Sequence, residues 1–168
     1  MDLLIIRHAP AQERDEFAAT GLPDEQRPLT QRGVKRMTAA GRGLMTLALP
    51  VERMVASPLV RACQTADILT SALELKGYDI DEVLAPGTPV ATVEEWLRKQ
   101  PKVECLALVG HEPDLGELVA YLLCGQPGSQ FPLKKGAALL LRFDQDIRAG
   151  SGRLIWSLPP AVLRALAD

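Results

Sequence analysis

The sequence predicts an α/β protein in which a mostly parallel sheet lies between two layers of helices, a three-layer α/β/α sandwich. Two short apolar runs, at residues 3–6 and 105–109, are each followed by a polar turn. Such continuous runs are typical of parallel strands buried on both faces, and strands that alternate with helical patterns build this sandwich. The only two histidines of the chain, His8 and His111, stand just beyond the ends of these runs.

The histidine positions predict where a functional site lies. Ligands of open α/β sheets bind beside the carboxyl ends of the parallel strands. If both apolar runs are parallel strands of one sheet, the two imidazoles lie at the same edge, beside the guanidinium of Arg7. Because guanidinium groups bind phosphate well, this edge is a candidate site for phosphate chemistry.

Length and composition indicate one domain, residues 1–168, with an ordinary globular core. Of the residues, 47% are hydrophobic and 24% are charged, and the net charge is −2 with a pI of about 5.7. This balance argues against a nucleic-acid partner or an anionic membrane held by bulk electrostatics. We interpret the local cluster of Arg32, Lys35 and Arg36 as a solvated helix face.

Location and cofactors are predicted from what the sequence lacks. The N-terminal apolar run is shorter than that of a signal peptide, and no stretch approaches the length of a membrane span. Cys63, Cys105 and Cys124 are widely spaced, which favours reduced thiols over a disulfide framework or a zinc site. We therefore expect a cytoplasmic protein that uses no metal and no other cofactor.

Strands and helices alternate in the first half of the chain, as this fold class requires. A strand at residues 2–6 leads into a polar loop at 9–29, which either rims the candidate site or is a disordered surface excursion. Thr30 then caps a helix that runs to about Leu47 and is ended by Pro50. The residues expected to form its buried stripe have helical spacing and are Val34, Met37, Gly41, Leu44 and Ala48.

A second strand and helix follow directly. The strand is predicted at residues 52–56. Ser57-Pro58 is a helix start signal, a capping residue followed by proline at the first helical position. The helix is expected to run to about Leu75 and to stop at Gly77. Its apolar face consists of Ala62, Ala66, Leu69 and Leu73.

The second half supplies the remaining elements. The predicted strands are a short one at 81–84, the clearest one at 103–109, and a hairpin of 136–143 and 153–158 joined by the glycine-rich stretch 144–152. The hairpin adds an antiparallel edge to the sheet. The predicted helices lie at 91–100, between Glu112-Pro113 and Gly125, and after Pro159-Pro160. The middle one has Leu115, Leu118, Val119, Leu122 and Leu123 at helical spacing.

The turns at three strand ends carry the residues that could bind an anion. Two of these turns lead straight into helix N-termini, where free N–H groups and the helix dipole favour negative charge. Arg61 falls in the first turn of its helix, where a cation is unfavourable for the helix, so a bound anion would explain its placement. Arg7 adds a second guanidinium suited to bidentate phosphate contact.

A histidine at this site could act as a nucleophile. Neutral imidazole can attack phosphorus and form a phosphohistidine intermediate. The other histidine could stay protonated and, with the arginines, stabilise charge on the equatorial oxygens, so that no metal is required. Each residue also has an ordinary structural alternative, because a strand-end histidine can be a satisfied core residue and an arginine near a helix start can form a surface ion pair.

Three motifs resemble those of the histidine phosphatase superfamily. They are Arg7-His8-Ala9, Ser57-Pro58-Leu59-Val60-Arg61-Ala62-Cys63-Gln64-Thr65-Ala66 and Val109-Gly110-His111-Glu112-Pro113. They look like the family's Arg-His-Gly signature, its Ser-Pro-x-x-Arg-x-x-x-Thr-Ala motif and its late histidine motif, in the family's order. The short chain, Arg27-Pro28-Leu29-Thr30 with Gly33, and Lys135-Gly136-Ala137-Ala138 resemble the SixA-type phosphohistidine phosphatases.

The resemblance implies a phosphoglycerate mutase-like α/β/α fold and assigns roles. It implies His8 as nucleophile, and Arg7, Arg61 and His111 as the phosphate pocket, with Ser57 as a further phosphate-binding residue and His111 as transition-state stabiliser. Ala9 departs from the family by replacing the signature glycine. This departure is tolerable unless the turn needs a positive φ.

The proton donor is the second departure, because larger family members use an acidic residue to protonate an alkoxide leaving group. Glu112 is the first candidate, since one branch of the superfamily places an aspartate beside the late histidine. Helix capping is its alternative role. Glu94 and Glu95 are the other candidates.

Three functions follow from these assignments. The first is a phosphatase that removes phosphate from phosphohistidine on a signalling or phosphotransfer protein. Its imidazole leaving group departs more easily than an alkoxide, and a short chain leaves the site open to a protein. The second is a phosphomonoesterase for small-molecule or phosphoserine-type esters with Glu112 as general acid. The third is a non-catalytic module that binds phosphate or a partner.

Overall fold

The computed structural model describes residues 1–128 and 131–167, and these form a six-stranded sheet covered on both faces. The strands are β1 (Asp2–Arg7), β2 (Val51–Ala56), β3 (Asp79–Ile80), β4 (Cys105–Gly110), β5 (Ala138–Arg142) and β6 (Arg153–Leu158). Their spatial order in the sheet is β3-β2-β4-β1-β5-β6.

The first four strands are parallel, and the last two form the predicted antiparallel edge. β1 pairs with β4 and β4 with β2, both parallel, so that Arg7 lies opposite Gly110 and Ala56 opposite Val109. The carboxyl ends of β1, β2 and β4 therefore meet at one edge of the sheet. β5 pairs antiparallel with β1, and β6 pairs antiparallel with β5 at the edge of the sheet.

Helices cover both faces of the sheet. They are α1 (Arg14–Ala18), α2 (Gln31–Thr46), α3 (Val60–Ala72), α4 (Val90–Arg98), α5 (Asp114–Cys124) and α6 (Pro160–Ala165). Side chains from α2, α3 and α6 join one face of the sheet in one apolar core, and side chains from α4 and α5 join the other face in a second. The predicted fold class is confirmed.

Close backbone approaches decide which face of α2 is buried. Thr30 caps the helix, its Oγ1 accepting from the Gly33 N–H at 2.9 Å. A Cβ at Gly33 would overlap the Pro10 carbonyl, and one at Gly43 would overlap the Leu163 carbonyl. The predicted stripe is therefore right for Met37, Gly41 and Leu44. It is wrong for Val34, which is exposed because the packing turns both glycines inward. It is also wrong for Ala48, which is exposed and lies beyond Thr46, the last residue of α2.

Side-chain hydrogen bonds also move two predicted boundaries. α3 begins at Val60, not at Pro58, since the Ser57 side chain is engaged elsewhere in the site. The strand predicted at 81–84 is wrong: β3 ends at Ile80, and residues 82–84 form a 3₁₀ turn. The Asp81 carboxylate accepts from the Val83 N–H at 3.0 Å and turns the chain there.

The segment 9–29 is not structureless. It contains α1 and a 3₁₀ turn at Asp24–Gln26, and Phe17 is buried beneath it. None of the helices formed by the described residues is both long and apolar enough to cross a membrane.

Candidate active site

The site is built where three strand ends are tied together by backbone hydrogen bonds. The His8 N–H donates to the Gly110 carbonyl at 3.0 Å, and the Ser57 N–H donates to the Val109 carbonyl at 2.9 Å. The turns after β1, β2 and β4 thus meet at one place. This juxtaposition, expected from the parallel sheet, brings together the side chains of Arg7, His8 and Ser57 with those of Arg61 and His111.

His8 is held with one ring nitrogen free. It is 5% exposed, and its Nδ1 lies 2.7 Å from the Ala9 carbonyl oxygen. Because a carbonyl oxygen only accepts, Nδ1 carries a proton, and in the neutral ring the lone pair is on Nε2. Burial lowers the pKa of His8 to about 4, and the positive charges of Arg61, Arg7 and Lys135 add to this effect. The ring is therefore neutral at pH 7.

Ala9 fits the turn that the family fills with glycine. Its φ is not in the left-handed region, where an alanine would be strained. The residue is fully buried, and its N–H donates to the Thr65 hydroxyl at 3.0 Å. The Thr65 hydroxyl donates in turn to the Arg61 carbonyl at 2.7 Å, so the second motif supports the turn of the first.

His111 faces His8, with ring centroids 5.1 Å apart. It is 4% exposed, and its Nε2 lies 2.7 Å from the Ser57 hydroxyl. Burial, followed by the charges of His8, Arg61 and Arg7, lowers the pKa of His111 to about 3. The protein without a bound anion therefore favours a neutral ring, contrary to the protonated state expected from the sequence. A bound oxyanion would supply the negative charge that favours protonation.

The guanidinium groups of Arg7 and Arg61 are held through their Nη atoms. Arg7 Nη1 donates to the Leu133 carbonyl at 2.7 Å. Arg61 Nη1 donates to the Asp24 carbonyl at 2.9 Å, and its Nη2 lies 3.1 Å from the Asp24 carboxylate. Both Nε atoms are buried and have no hydrogen-bond partner among the described residues.

The buried atoms without partners in the described part of the chain are Arg7 Nε, Arg61 Nε and His111 Nδ1. Buried polar groups are nearly always paired, so such atoms call for an explanation. All three belong to residues that the sequence assigned to the phosphate pocket. Hydrogen bonding to an oxyanion is one way to satisfy such donors, and it is the chemistry that two guanidinium groups beside a histidine support best.

Asp24 organises one side of the site and was missed by the sequence analysis. Its carboxylate contacts Arg61, accepts from Arg27 Nε at 2.7 Å and lies 3.6 Å from Arg14 Nε. The hydrogen bond from Arg27 is the largest of the effects that lower the pKa of Asp24. The segment 9–29 therefore rims the site. The available signal was the motif that begins at Arg27.

Glu112 is held by the same residue that holds Arg7. Its Oε1 accepts from the Leu133 N–H at 3.1 Å, and the Leu133 carbonyl accepts from Arg7, so the backbone of one residue contacts both side chains. Burial raises the pKa of Glu112, although this hydrogen bond and the Arg7 charge oppose the rise. Glu94 and Glu95 lie on α4, where they bind the Tyr121 hydroxyl and Lys99. The structure does not bring these two into contact with the histidines.

The charge of the site is positive. The charges of Arg61 and Arg7 act on His8, and so does that of Lys135, which is half-buried and lies just before β5. Within residues 1–128 and 131–167, there is no group of three or more His, Cys, Asp or Glu side chains that could hold a metal ion.

Comparison with known proteins agrees with this geometry. Residues 3–85 match the model of the histidine phosphatase superfamily (branch 1). An uncharacterized protein of Picosynechococcus sp. is 37% identical over 145 residues, which cover 84% of this chain and 85% of that protein. Phosphohistidine phosphatase SixA of Escherichia coli is 27% identical over 98% of this chain and 97% of its own.

A solved structure extends the agreement to nearly the whole chain. The protein histidine phosphatase SixA complexed with tungstate superposes with a TM-score of 0.82 at 26% identity, covering 97% of this chain and 99% of that chain. The fold, the motifs and these relatives lead to one conclusion. The chain belongs to the histidine phosphatase superfamily, and it is a SixA-type phosphatase, a member of a class of hydrolases that work without a metal ion.

Proposed function

We propose that the protein removes phosphate from phosphohistidine on a signalling or phosphotransfer protein, with His8 as the nucleophile. The observation that carries the proposal is the state of His8. Its Nδ1 is held by the Ala9 carbonyl, its pKa is about 4, the His111 ring lies 5.1 Å away between centroids, and the charges of Arg61 and Arg7 act on it. A neutral ring with its lone pair on Nε2 is the form that attacks phosphorus.

The proposed reaction has two displacements. The Nε2 lone pair forms a bond to phosphorus as the bond between phosphorus and the substrate's ring nitrogen breaks. The substrate ring leaves as neutral imidazole, provided its other nitrogen carries a proton. Water then attacks the phosphoryl group on His8, releasing inorganic phosphate and restoring the neutral ring. Arg7, Arg61 and His111 stabilise the negative charge on the equatorial oxygens in both steps.

The leaving group favours phosphohistidine as the substrate. An alkoxide needs a proton from the enzyme as it departs, whereas a neutral imidazole does not. The carboxyl group of Glu112, the first candidate for the acid, is already engaged by the Leu133 N–H. A site with strong anion binding and no freely placed acid suits the more labile phosphorus–nitrogen bond.

The test is the capture of the intermediate. After brief mixing with a peptide that carries phosphohistidine, the wild-type protein is expected to hold an acid-labile phosphoryl group on His8, located by mass spectrometry. His8→Ala is expected to lose both the adduct and turnover. His111→Ala keeps the nucleophile and serves as the control, which should still form the adduct, at a reduced rate. Turnover by His8→Ala at the wild-type rate would refute the mechanism.

Hydrolysis of phosphate esters is a second candidate, because burial raises the pKa of Glu112 and so favours a carboxyl group that still holds a proton. Glu112→Gln separates acid catalysis from positioning, since the glutamine oxygen can still accept from the Leu133 N–H. Loss of ester hydrolysis in this variant would support the acid role. Equal activity of the variant on esters would remove Glu112 from the chemistry.

A cytoplasmic location is also part of the proposal. The three cysteines are free thiols, as is usual in a reducing compartment. The phosphoprotein partner that we propose would be met there.

A further inference from the structure

The surface beside His8 gathers cations from three separate parts of the chain. Arg36 of α2, Lys135 before β5 and Arg164 of α6 line one crevice together with Ala9 and Pro10, the two residues after the nucleophile. All three cations are half-buried. The sequence analysis placed only Arg36 in a cluster, since Lys135 and Arg164 are brought to it by the fold.

These cations are not neutralised by the protein itself. Every charged residue of α2, of α6 and of residues 131–137 is a lysine or an arginine. Among the described residues, none of the three crevice cations, nor Arg32 or Lys35, has a carboxylate within ion-pair distance. The whole chain carries a net charge of −2, so positive charge is segregated on this face.

The positions of the cations on α2 are unfavourable for the isolated protein. Arg32 lies in the first turn of α2, where the helix dipole disfavours a cation, and that turn has no acidic residue. Arg32 and Arg36 are one turn apart, a spacing at which like charges repel. Local stability therefore does not explain the cluster, whereas a negatively charged partner does.

The shape of the crevice indicates a surface contact. Its volume is about 30 Å³, roughly that of one water molecule. A ligand therefore meets these cations from outside the protein. The Gly136 N–H donates to the carbonyls of Arg7 and His8, both at 3.1 Å, which fixes Lys135 beside the nucleophile. A ligand on this face therefore lies beside Ala9 and Pro10, the residues that follow His8.

We propose that this basic surface, formed by Arg36, Lys135 and Arg164 with Arg32 and Lys35 beside them, docks acidic residues that flank the phosphohistidine of the substrate protein. The inference rests on the proposed function, because it assigns the protein substrate an acidic neighbourhood. Complementary charge raises the rate of encounter and sets the orientation of the phosphoryl group toward His8. It also disfavours substrate proteins whose phosphohistidine has basic neighbours.

The test uses two synthetic peptides that carry one phosphohistidine, one flanked by three glutamates on each side and the other by three lysines. The wild-type enzyme is expected to have a kcat/KM about tenfold or more higher for the acidic peptide at low salt, from several exposed charge pairs acting together. High salt should reduce this ratio. A ratio near one at low salt overturns the proposal.

Charge-reversal variants test whether the basic surface causes the preference for the acidic peptide. Arg36→Glu combined with Arg164→Glu is expected to bring the ratio to about one or to invert it. Lys102→Glu, at an exposed cation before the opposite, amino end of β4, should keep the wild-type ratio. An equal loss in Lys102→Glu overturns the proposal. Arg32→Glu combined with Lys35→Glu changes only exposed side chains and repeats the test if the first double variant does not fold.

Binding separates failure of the docking surface from failure of the proposed function. If neither phosphohistidine peptide is hydrolysed while a phosphate ester is, the proposed function is wrong. Fluorescence anisotropy of the same peptides with the His8→Ala variant then decides the docking: tighter binding of the acidic peptide supports it, and equal binding overturns it. Tighter binding of a 20-nucleotide poly-dT strand than of the acidic peptide also overturns it, in favour of nucleic acid.

Discussion

At the scale of single residues, the protonation state of two histidines governs what the site can do. Burial, followed by the positive charges around the rings, lowers the pKa of His8 to about 4 and that of His111 to about 3. The nucleophile is thus available at neutral pH without a base to deprotonate it. The same environment makes the site strongly attractive to an anion.

The histidine titration can be observed directly, because the chain has only two histidines. In NMR spectra of the free protein, neither ring is expected to titrate between pH 8 and pH 5.5. Addition of inorganic phosphate should raise the pKa of His111, since a bound anion favours the charged imidazolium. Titration of either ring near pH 6.5 in the free protein would contradict the described environment.

Asp24 is expected to act through Arg61 as a positioning residue. Asp24→Asn removes the charge that holds Arg61 Nη2 but keeps the backbone contact to Nη1. We expect KM for a phosphohistidine peptide to rise about tenfold, the loss typical of one charged hydrogen bond, with a smaller change in kcat. Asp79→Asn, which breaks an exposed pair with Arg53, is the matched control and should leave KM unchanged.

At the scale of elements, glycines let helices approach backbone that belongs to other parts of the chain. Gly33 brings α2 against Pro10 of the rim segment, and Gly43 brings α2 against the end of α6. Both contacts join elements that lie far apart in the sequence. The position of the basic face beside His8 depends on them.

Gly43→Ala is expected to destabilise the protein by about 1–3 kcal/mol, because the new methyl group overlaps the Leu163 carbonyl. Urea unfolding measures the change. Gly77→Ala is the control, since a Cβ at Gly77 meets no atom within 4 Å. An equal free energy of unfolding for Gly43→Ala and the wild type would contradict the prediction, because it would mean that α2 can move away from α6 without loss of stability.

At the scale of the whole molecule, the two buried histidines link stability to pH. Their pKa values are lower in the folded state than in the unfolded chain, where they are near 6.5. Between pH 6.5 and about 4 the unfolded chain therefore binds more protons than the folded protein. Stability is greatest above pH 6.5 and falls as the pH decreases through this window.

The expected loss between pH 7.5 and pH 5.5 is about 1 kcal/mol for each histidine. Urea unfolding at the two pH values measures it. His8→Gln combined with His111→Gln removes the titrating groups, so the difference should largely disappear in that variant. Lowered pKa values of Asp2 and Asp24 add to the loss only at more acidic pH. Rising stability of the wild type toward pH 5.5 would contradict this account.

Features that depend on residues close together in the sequence could be predicted, whereas features that depend on contacts between distant positions could not. Arg7, His8, Arg61 and His111 could be placed at one edge of the sheet because apolar runs and turn residues, local in sequence, mark the strand ends. Their roles come from the resemblance to the family and stay predictions. Asp24 could not be placed, because its contact with Arg61 joins positions 37 residues apart and depends on how the rim segment folds. The basic surface was missed for the same reason, since Arg164 reaches it only through the packing of α6 on α2.

Leu133 ties two charged side chains of the site to one point of the backbone. Its carbonyl accepts from the Arg7 guanidinium, and its N–H donates to the Glu112 carboxylate. The N–H and the carbonyl belong to two successive peptide groups that meet at the Leu133 Cα, so the backbone angles of this one residue set where the cation and the anion stand relative to each other. A change of these angles would therefore move the guanidinium of a residue that lies 126 positions away in the sequence.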